Sequence, residues 1–351
     1  MNLTPYLEGI NPDPIRAWIA RLKDEGAEKM FTIGVPDPIP RETLELYSDA
    51  VRKSDLSGNT GYTPVKGLPE FKKAIISMER EFNVNYAEDD EEHIYPTIAA
   101  SQALTFTFSL FRPGSEVLVQ SPGWGTVYNM IAHSGNKGVA CEYFRDGEFN
   151  PQAFDEKITE KTVAAYINVP GNPTGYMPPS TAIKDFAEHC VDRGLQVVSD
   201  SPYKYHLYEG DYYSPLNASR EVADNTITVS SFSKIIKPDI RLGYVRLSPA
   251  VLAADAGKKI TYFFRNLGAS TSRAIQEGLT AVINDDPKLG FLKPIVAGYR
   301  RKSQLMQDYL AEMGCAFPKK PNASYLMYPT TPDGIDGEDF VVKMAREHKL
   351  G

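Results

Sequence analysis

The chain has 351 residues, of which 42% are hydrophobic and 24% are charged, and its formal net charge is −7. This length is enough for about two domains with a large buried core, and the composition excludes collagen-like, disordered and disulfide-rich proteins. An acidic chain without a long basic run matches neither nucleic acid nor an anionic membrane surface, so we expect no such partner. The cysteines form no C-x-x-C pair, and neither a signal sequence nor a membrane span is apparent, so we expect a cytoplasmic protein.

The N-terminal part is predicted to contain a short arm followed by three helices. Trp18 and Leu22 belong to a set of apolar residues at helical spacing, which predicts the first helix directly after the arm. The same spacing predicts helices over residues 41–53 and 68–78, with a loop at 58–61 between them. A brief apolar run at 31–34 precedes these two helices.

The central part alternates between predicted strands and predicted helices. Strands are expected at 94–98, 116–120, 138–142, 163–168, 195–199, 226–229 and 243–247, and helices at 101–111 and 181–193. Apolar strands that are separated by crossover helices predict a mostly parallel sheet covered on both faces. In such sheets, ligands bind at the carboxyl ends of the strands.

The last third predicts a second, smaller α+β unit. Its expected elements are helical stretches at 250–285 and 288–313, short strands at 315–318 and 324–328, and a final helix at 336–348. Because no long linker separates the units, we expect them to pack closely. The predicted division is a large domain at 46–285, with 1–45 and 286–351 forming an N-terminal arm and a small domain.

Several chemically reactive side chains follow the predicted strands. Asp200 ends one strand and Tyr203 follows it, while the motif Ser231-x-Ser233-Lys234 ends the next strand and Arg241 lies shortly after. A tight turn with the sequence PGNPTG occupies 170–175. Taken singly, these are a helix N-cap, a solvated lysine and a common turn. Their placement at the ends of neighbouring strands indicates one shared site.

Taken together, the motifs resemble those of the class I and II aminotransferases, a family of fold-type I pyridoxal-phosphate enzymes that includes aspartate aminotransferase. The likeness extends from the N-terminal arm, through Gly61-Tyr-Thr-Pro64, to about Tyr328, with the motifs in the family's order. It implies an α/β fold: a PLP-transferase-like large domain with a mostly parallel seven-stranded sheet between helices, plus a smaller α+β domain.

The resemblance also implies how pyridoxal 5'-phosphate is held. Lys234 is expected to bind its aldehyde as a Schiff base, and Asp200 to face the pyridine nitrogen and keep it protonated. Asn172 and Tyr203 are expected to donate hydrogen bonds to the phenolate oxygen of the ring. Lys234, Asp200 and Tyr203 are therefore the expected catalytic residues.

A phosphate site is expected at the start of the helix that follows residues 94–98. The resemblance implies that the backbone N–H groups of Ala99, Ala100 and Ser101 bind the phosphate, together with Ser231 and the guanidinium of Arg241. The alternative interpretation is that the alanine pair is only a tight helix start.

Three further residues complete the expected site. Trp124 follows a strand where the family places an aromatic ring, so it is expected to lie on the pyridine face, and its alternative is a residue that fills a core. Tyr62 is expected to reach the phosphate of the neighbouring subunit in a homodimer, and its alternative is an ordinary loop tyrosine. Gly34, with Asn172 and Trp124, is expected to contact the substrate. The histidines show no metal-ligand spacing, so no metal is expected.

The implied reaction moves an amino group between an L-amino acid and a 2-oxo acid by a ping-pong mechanism. Two alternatives stay open: a pyridoxal-phosphate-dependent lyase or synthase acting on an amino acid, and a catalytically idle binding module with the same fold. Family members continue past the point that corresponds to Gly351 and carry there an arginine for the substrate carboxylate. No residue here matches it, so the chain is shortened, or another group binds the carboxylate, or the substrate is unusual.

Overall fold

The computed structural model of the chain describes residues 14–30, 34–254, 257–268 and 270–351. Within these ranges nine strands form, seven of them in one sheet and two in a short hairpin. They are β1 (Ile94–Thr97), β2 (Glu116–Gln120), β3 (Lys137–Cys141), β4 (Phe144–Arg145), β5 (Glu148–Phe149), β6 (Thr162–Asn168), β7 (Gln196–Asp200), β8 (Thr226–Ser231) and β9 (Gly243–Arg246).

The sheet has the strand order β1-β9-β8-β7-β6-β2-β3. Only β9 runs antiparallel to its neighbours, and the remaining adjacent pairs are parallel. The predicted mostly parallel, seven-stranded sheet is therefore confirmed, and its strands begin and end within two residues of the prediction. The carboxyl ends of β2, β6, β7 and β8 all lie at one edge, which is where an open α/β sheet binds its ligand.

Helices cover both faces of this sheet and continue into the C-terminal part. The described helices are α1 (Pro14–Asp24), α2 (Arg41–Asp55), α3 (Pro69–Glu81), α4 (Ala99–Ser109), α5 (Thr126–His133), α6 (Pro151–Asp155), α7 (Ser180–Asp192), α8 (Arg220–Asp224), α9 (Pro249–Ala253), α10 (Gly257–Asn266), α11 (Arg273–Asp285), α12 (Lys293–Glu312) and α13 (Gly337–His348). The predicted helices are found with small shifts at their ends, except that the stretch predicted at 250–285 is divided into α9, α10 and α11 and the helix predicted from 288 begins at Lys293. The arm at 1–13 and most of the run at 31–34 lie outside the described residues.

The sheet separates two apolar cores, as the period of a strand requires. Along β2, Val117 and Val119 belong to one core and Leu118, which points to the opposite face, belongs to the other. Along β6, Ala164 and Tyr166 alternate with Ala165 and Ile167 in the same way. Burial on both faces explains why these strands are apolar throughout. It also explains why polar side chains appear only where the strands end.

The short strands predicted at 315–318 and 324–328 are wrong. In the first segment, Ala316 forms only an isolated bridge with Thr330. Next to the second segment, Ala323 forms only an isolated bridge with Leu207. Ser324 has a φ of +60°, which is a turn conformation that an extended strand does not contain. In the part of the chain described here, the C-terminal region is thus mainly helical. None of the described helices is both long and apolar enough to cross a membrane.

Candidate active site

A buried carboxylate lies at the carboxyl end of β7. Asp200 is 2% exposed, and its Oδ2 accepts hydrogen bonds from the hydroxyl of Tyr166 at 2.8 Å and from Nδ2 of Asn168 at 3.0 Å. Its other oxygen, Oδ1, is buried and has no hydrogen-bond partner in the structure. Burial raises the pKa of Asp200 to about 7, although both hydrogen bonds and the charge of Lys204 act in the opposite direction.

Tyr166 and Asn168 are site residues that the sequence analysis did not single out. They lie two residues apart on β6 and so have the same orientation across the sheet, and Asn168 is directly opposite Asp200 in the strand register. Oδ1 of Asn168 accepts a hydrogen bond from the backbone N–H of Asn172 at 2.7 Å. Asn168 therefore joins the carboxylate to the turn at 170–175. A polar residue closing an otherwise apolar strand was the available signal.

Lys234 ends a single 3₁₀ turn that follows β8. Its Nζ donates a hydrogen bond to the backbone carbonyl of Gly34 at 3.1 Å and lies 5.6 Å from the centre of the Tyr203 ring. Burial lowers the pKa of this amine, and the nearby charge of Arg241 lowers it further. The structure thus brings three of the predicted residues, Lys234, Gly34 and Tyr203, to one place.

Tyr203 and Asn172 approach each other from neighbouring strand ends. Tyr203 is 5% exposed, and its pKa is raised by burial and by the charge of Asp200, with a hydrogen bond from the Asn172 side chain acting in the opposite direction. The two predicted hydrogen-bond donors for one cofactor oxygen therefore lie side by side. The ring of Tyr203 also packs edge-on against Tyr325, with centroids 6.0 Å apart.

The start of α4 packs directly against β9. A Cβ placed on Gly243 would lie 2.8 Å from the carbonyl carbon of Ala99 and 3.0 Å from the nitrogen of Ala100. Ala99 adopts a φ of +58°, and the helix continues from it through Ser101. Since the first N–H groups of a helix have no partner within it, this end carries partial positive charge.

Of the two side chains predicted for the phosphate, Ser231 lies next to this helix start, because it is paired with Gly243. Ser231 is 4% exposed, and its Oγ donates to the carbonyl of Leu242 at 3.4 Å and accepts from the N–H of Ser233 at 3.2 Å. Nη1 of Arg241 contacts Oγ of Ser233 at 3.5 Å and the carbonyl of Pro238 at 3.1 Å. The arginine is thus exposed and directed toward Ser233 rather than Ser231.

Two predicted residues are not brought into this cluster. Trp124 is half-buried and, like Tyr128 and Met130, packs against the apolar core that contains Val117 and Val119. Tyr62 is 100% exposed, so its side chain contributes nothing to the site of its own subunit.

The sequence analysis did not identify Tyr299 and Tyr325, an aromatic pair close to Lys234 and to His206. Tyr325 packs against Tyr299, with centroids 5.1 Å apart, and its hydroxyl donates to the carbonyl of Gly34 at 3.4 Å. His206 packs against both rings, and burial lowers its pKa to about 4, so it is neutral. These residues come from distant parts of the chain, which is why no local pattern indicates them.

Residues 36–350, nearly the whole chain, match the family model of aminotransferase class I and II. The chain belongs to the class I and II aminotransferases. As an aminotransferase of this family it depends on pyridoxal phosphate, and its substrates are amino acids and 2-oxo acids. The resemblance inferred from the motifs, the cofactor and the enzyme class are thereby confirmed.

Relatives in this aminotransferase family cover most of the chain. An aspartate/prephenate aminotransferase of Thermus thermophilus is 29% identical over 330 residues, which cover 92% of this chain and 82% of the relative. Aromatic-amino-acid aminotransferase 2 of Thermococcus litoralis is 26% identical, covering 100% of this chain and 89% of the relative. The solved structure of Thermus thermophilus aspartate aminotransferase with maleate has a TM-score of 0.80 at 25% identity, covering 92% of this chain and 84% of the other.

The residues present fit the cofactor that this aminotransferase family uses. Oδ1 of Asp200 is buried and accepts no hydrogen bond from the described part of the protein. A protonated pyridine nitrogen could donate the hydrogen bond that this oxygen lacks. Lys234 offers an amine with a lowered pKa, and the start of α4 offers N–H groups to an anion. The carboxylate, the amine and the helix start therefore match the ring nitrogen, the aldehyde and the phosphate of one cofactor.

Proposed function

We propose that this aminotransferase uses the carboxyl edge of its sheet as the active site, with Lys234 as the acid–base residue and Asp200 as the partner of the pyridine nitrogen. The observation that carries the proposal is the unpartnered Oδ1 of Asp200, buried at the same sheet edge as the lysine that contacts Tyr203 and Gly34. A buried acceptor without a donor is costly to a protein, so its retention is best explained by a ligand.

When bound, pyridoxal phosphate supplies an aldehyde that takes the amino group and a ring that withdraws electrons from the substrate Cα. Nζ of Lys234 would accept the proton released from that carbon and deliver it to the carbon that carried the aldehyde, which requires an amine that is free of its proton part of the time. Burial and the charge of Arg241 lower the pKa of Lys234 in the direction that this role needs.

The remaining residues hold and orient the cofactor in this proposal. Asn172 and Tyr203, which lie together, donate to one oxygen of its ring. Trp124, which lies outside this cluster in the cofactor-free structure, is proposed to cover the ring face once the cofactor is bound.

The phosphate takes the N–H groups of Ala99, Ala100 and Ser101, with Ser231 and Arg241 completing its site. The contact between β9 and the start of α4 supports this assignment, because it fixes the helix start beside Ser231.

For the substrate, we propose acidic and aromatic L-amino acids. Aspartate, prephenate and aromatic amino acids appear in the names of the relatives. The tyrosine rings of Tyr203 and Tyr325 beside Lys234 offer planar contacts to an aromatic side chain. The backbone of Gly34, which already contacts Lys234, approaches the substrate carboxylate.

We further propose a cytoplasmic homodimer in which Tyr62 reaches the phosphate of the partner subunit. This tyrosine is fully exposed in the single subunit, so its ring is free to contact a neighbouring subunit. All three cysteines are buried free thiols, as is usual in a reducing compartment. We also propose two domains: a large domain at 46–285, and a small domain that comprises the arm at 1–45 together with 286–351. The boundary at residue 46 falls inside α2.

Substitution of Lys234 tests the proposal directly. Lys234→Ala is expected to abolish amino transfer, whereas Lys237→Ala, which removes an exposed lysine paired with Asp239, is expected to leave it unchanged. Borohydride reduction of the wild-type enzyme with pyridoxal phosphate, followed by peptide mapping, should place the label on the peptide that contains Lys234. A label on Lys237, or on neither lysine, would refute the assignment.

A panel of amino acids then tests the reaction type. Each accepted amino acid should yield its 2-oxo acid together with the aminated cofactor, which is followed by absorbance. Release of pyruvate and ammonia from one substrate, without amination of the cofactor, would indicate an elimination enzyme instead. Cofactor binding without any half-reaction would indicate a binding module.

A further inference from the structure

Residues 34–37 reach the site without belonging to a helix or a strand, and α2 begins only at Arg41. Prolines occupy positions 36, 38 and 40, and a proline has a fixed φ and no backbone N–H. The residue before each proline is also restricted to extended conformations. The segment is therefore stiff, but its place in the molecule depends on contacts with side chains from other elements.

One anchor of this segment lies at Asp37 and comes from α12. The backbone N–H of Asp37 donates a hydrogen bond to the hydroxyl of Tyr299 at 2.7 Å. The carboxylate of Asp37 pairs with Nζ of Lys302, about one helical turn further along α12, at 2.6 Å. The side chain of Lys302 is 58% exposed, whereas Tyr299 is 2% exposed. Because exposed ion pairs contribute little, the hydroxyl of Tyr299 is the main contact at this end.

The second anchor lies at Gly34 and comes from Tyr325. A Cβ placed on Gly34 would lie 2.7 Å from Cε2 of Tyr325, so the backbone of Gly34 packs directly on this ring. The hydroxyl of Tyr325 donates to the carbonyl of Gly34 at 3.4 Å, and Nζ of Lys234 donates to the same oxygen at 3.1 Å. The backbone of Gly34 is therefore fixed beside the amine that we propose for the chemistry.

The two anchoring tyrosines pack against each other. Their ring centroids are 5.1 Å apart, and the ring of His206 packs against Tyr299 at 5.7 Å and against Tyr325 at 6.1 Å. His206 is 0% exposed, so it fills the space behind both rings. Rings that are packed in this way have few alternative orientations. The two ends of the segment are consequently held at fixed places relative to each other.

We propose that Tyr299 and Tyr325 are positioning residues that hold residues 34–37 where the backbone of Gly34 receives the α-carboxylate of the substrate. This inference rests on the proposed contact between Gly34 and that carboxylate. A carboxylate needs a donor, which on this backbone is the N–H group, since the carbonyl already accepts from Lys234 and Tyr325. A stiff segment that is fixed at both ends presents this N–H in one orientation, so less freedom is lost when the substrate binds.

The test removes the hydroxyl of Tyr299 and keeps its ring. Tyr299→Phe retains the packing of the ring but deletes the acceptor for the N–H of Asp37. In single turnovers of the cofactor-loaded enzyme, the half-saturating concentrations of L-aspartate and L-phenylalanine should rise about three- to tenfold, the usual effect of one hydrogen bond. The limiting rate should stay within about twofold, because an interaction lost equally from the ground state and the transition state affects binding alone.

L-Phenylalaninol makes the effect specific to the carboxylate. In this compound a hydroxymethyl group replaces the carboxylate of phenylalanine. As an inhibitor it should therefore bind Tyr299→Phe and the wild-type enzyme equally.

Hydrogen exchange of the cofactor-free protein gives a second measurement that needs no substrate. Because the prolines have no N–H, a peptide covering 35–40 reports mainly on the amides of Asp37 and Ile39. Exchange at Asp37 should be about three- to tenfold faster in Tyr299→Phe, since the acceptor of this N–H is lost. The amide of Ile39 serves as the internal reference.

Tyr208→Phe is the matched control variant. The hydroxyl of Tyr208 also bonds to α12, where it donates to Ser303 at 3.0 Å rather than serving residues 34–37. This control should leave hydrogen exchange at Asp37 and the half-saturating concentrations of both amino acids as they are in the wild-type protein.

The outcomes separate the positioning role from the role of Gly34. Unchanged exchange and unchanged half-saturation in Tyr299→Phe would overturn the positioning role alone. Faster exchange at Asp37 without an effect on either amino acid would instead contradict the proposed contact between Gly34 and the carboxylate. Equal losses for the amino acids and L-phenylalaninol would indicate a general distortion of the site, which also overturns the proposal.

Tyr325→Phe keeps the proposal testable should Tyr299→Phe not fold. It removes the hydroxyl that bonds to Gly34 and retains the ring on which Gly34 packs. We expect the same difference between the two amino acids and L-phenylalaninol, and equal binding of all three to variant and wild type would overturn the positioning role.

Discussion

At the scale of single residues, the main feature of the site is that Asp200 is a carboxyl group whose ionised form is disfavoured by burial. Two donors serve one of its oxygens and none serves the other, so the carboxylate is only partly compensated for the loss of water. Burial therefore prevails and raises the pKa to about 7. In the cofactor-free protein this carboxyl group is close to half protonated at neutral pH, and a bound cation would complete its ionisation.

This effect of burial predicts a pH dependence of stability. Between the ordinary pKa of 3.8 and about 7, the folded chain holds a proton on Asp200 that the unfolded chain has released. Stability therefore decreases as pH rises through this range, and the full cost, about 4 kcal/mol, is present above it. Asp200→Asn keeps an acceptor for Tyr166 and Asn168 and should remove this dependence.

Urea unfolding of the cofactor-free proteins between pH 4 and pH 8 measures the effect. The wild-type protein and the variant should have similar free energies of unfolding near pH 4, and the variant should be the more stable one at pH 8. A parallel decrease in both proteins would show that Asp200 is not the titrating group.

At the scale of elements, the proposed phosphate site depends on a close contact between a strand and a helix start. Gly243 begins β9 between the carbonyl of Ser230, 2.6 Å from where a Cβ would lie, and the backbone of Ala99 and Ala100. All of these neighbours are backbone atoms, which cannot swing aside as a side chain does. The absence of a Cβ at residue 243 thus sets the distance between the sheet and the N-terminus of α4.

Gly243→Ala is expected to separate these two elements. The inserted methyl group should cost about 1–3 kcal/mol of stability and displace the N–H groups that we propose for the phosphate. Affinity for pyridoxal phosphate should therefore fall much more than affinity for pyridoxal, which lacks the phosphate. Equilibrium titration with both compounds gives the comparison.

Gly298→Ala is the matched control for that substitution. Gly298 lies inside α12, and a Cβ there would meet no atom within 4 Å. Replacement of a glycine in the middle of a helix by alanine should stabilise the protein by about 0.5–1 kcal/mol without affecting either ligand. An equal loss of affinity in both variants would contradict the proposed phosphate site.

The sheet could be predicted because its strands are buried on both faces, so each strand is a continuous run of mainly apolar residues in the sequence. The predicted strands that did not form are those whose pairing depends on a second segment that the local sequence does not specify. Residues 324–328 have the composition of a strand, but Ser324 turns the backbone and only Ala323 finds a neighbour, at Leu207. An extended segment without a paired edge cannot form a ladder.

The site was predictable to the extent that its residues sit in motifs. Lys234, Asp200, Tyr203, Asn172 and Gly34 were expected and lie together. Tyr166 and Asn168 were missed because their role depends on the register between β6 and β7, and an apolar strand pattern does not reveal which residues face each other. Register is a property of two segments, so a single segment cannot show it.

At the scale of the whole molecule, the proposed dimer predicts complementation between two inactive proteins. Tyr62→Ala removes the residue proposed to serve the partner's phosphate, and Lys234→Ala removes the lysine of its own site. In a mixed dimer, one site combines Lys234 of the first subunit with Tyr62 of the second. Random exchange of subunits should therefore restore about a quarter of the sites.

Activity measured after mixing and subunit exchange tests this expectation. The two variants alone should be inactive or nearly so, and the mixture should gain activity as exchange proceeds. A mixture that stays as inactive as its components would show that Tyr62 serves no neighbouring subunit.

The carbonyl of Gly34 accepts hydrogen bonds from Lys234 and from Tyr325, which lie 200 and 291 residues further along the chain. One oxygen atom thus tethers the N-terminal segment to the sheet and to the C-terminal region at once. If Lys234 binds the cofactor as proposed, its amine no longer donates to this oxygen, and the backbone at Gly34 keeps only the hydrogen bond from Tyr325. Occupation of the site would then be coupled to how firmly the backbone at Gly34 is held.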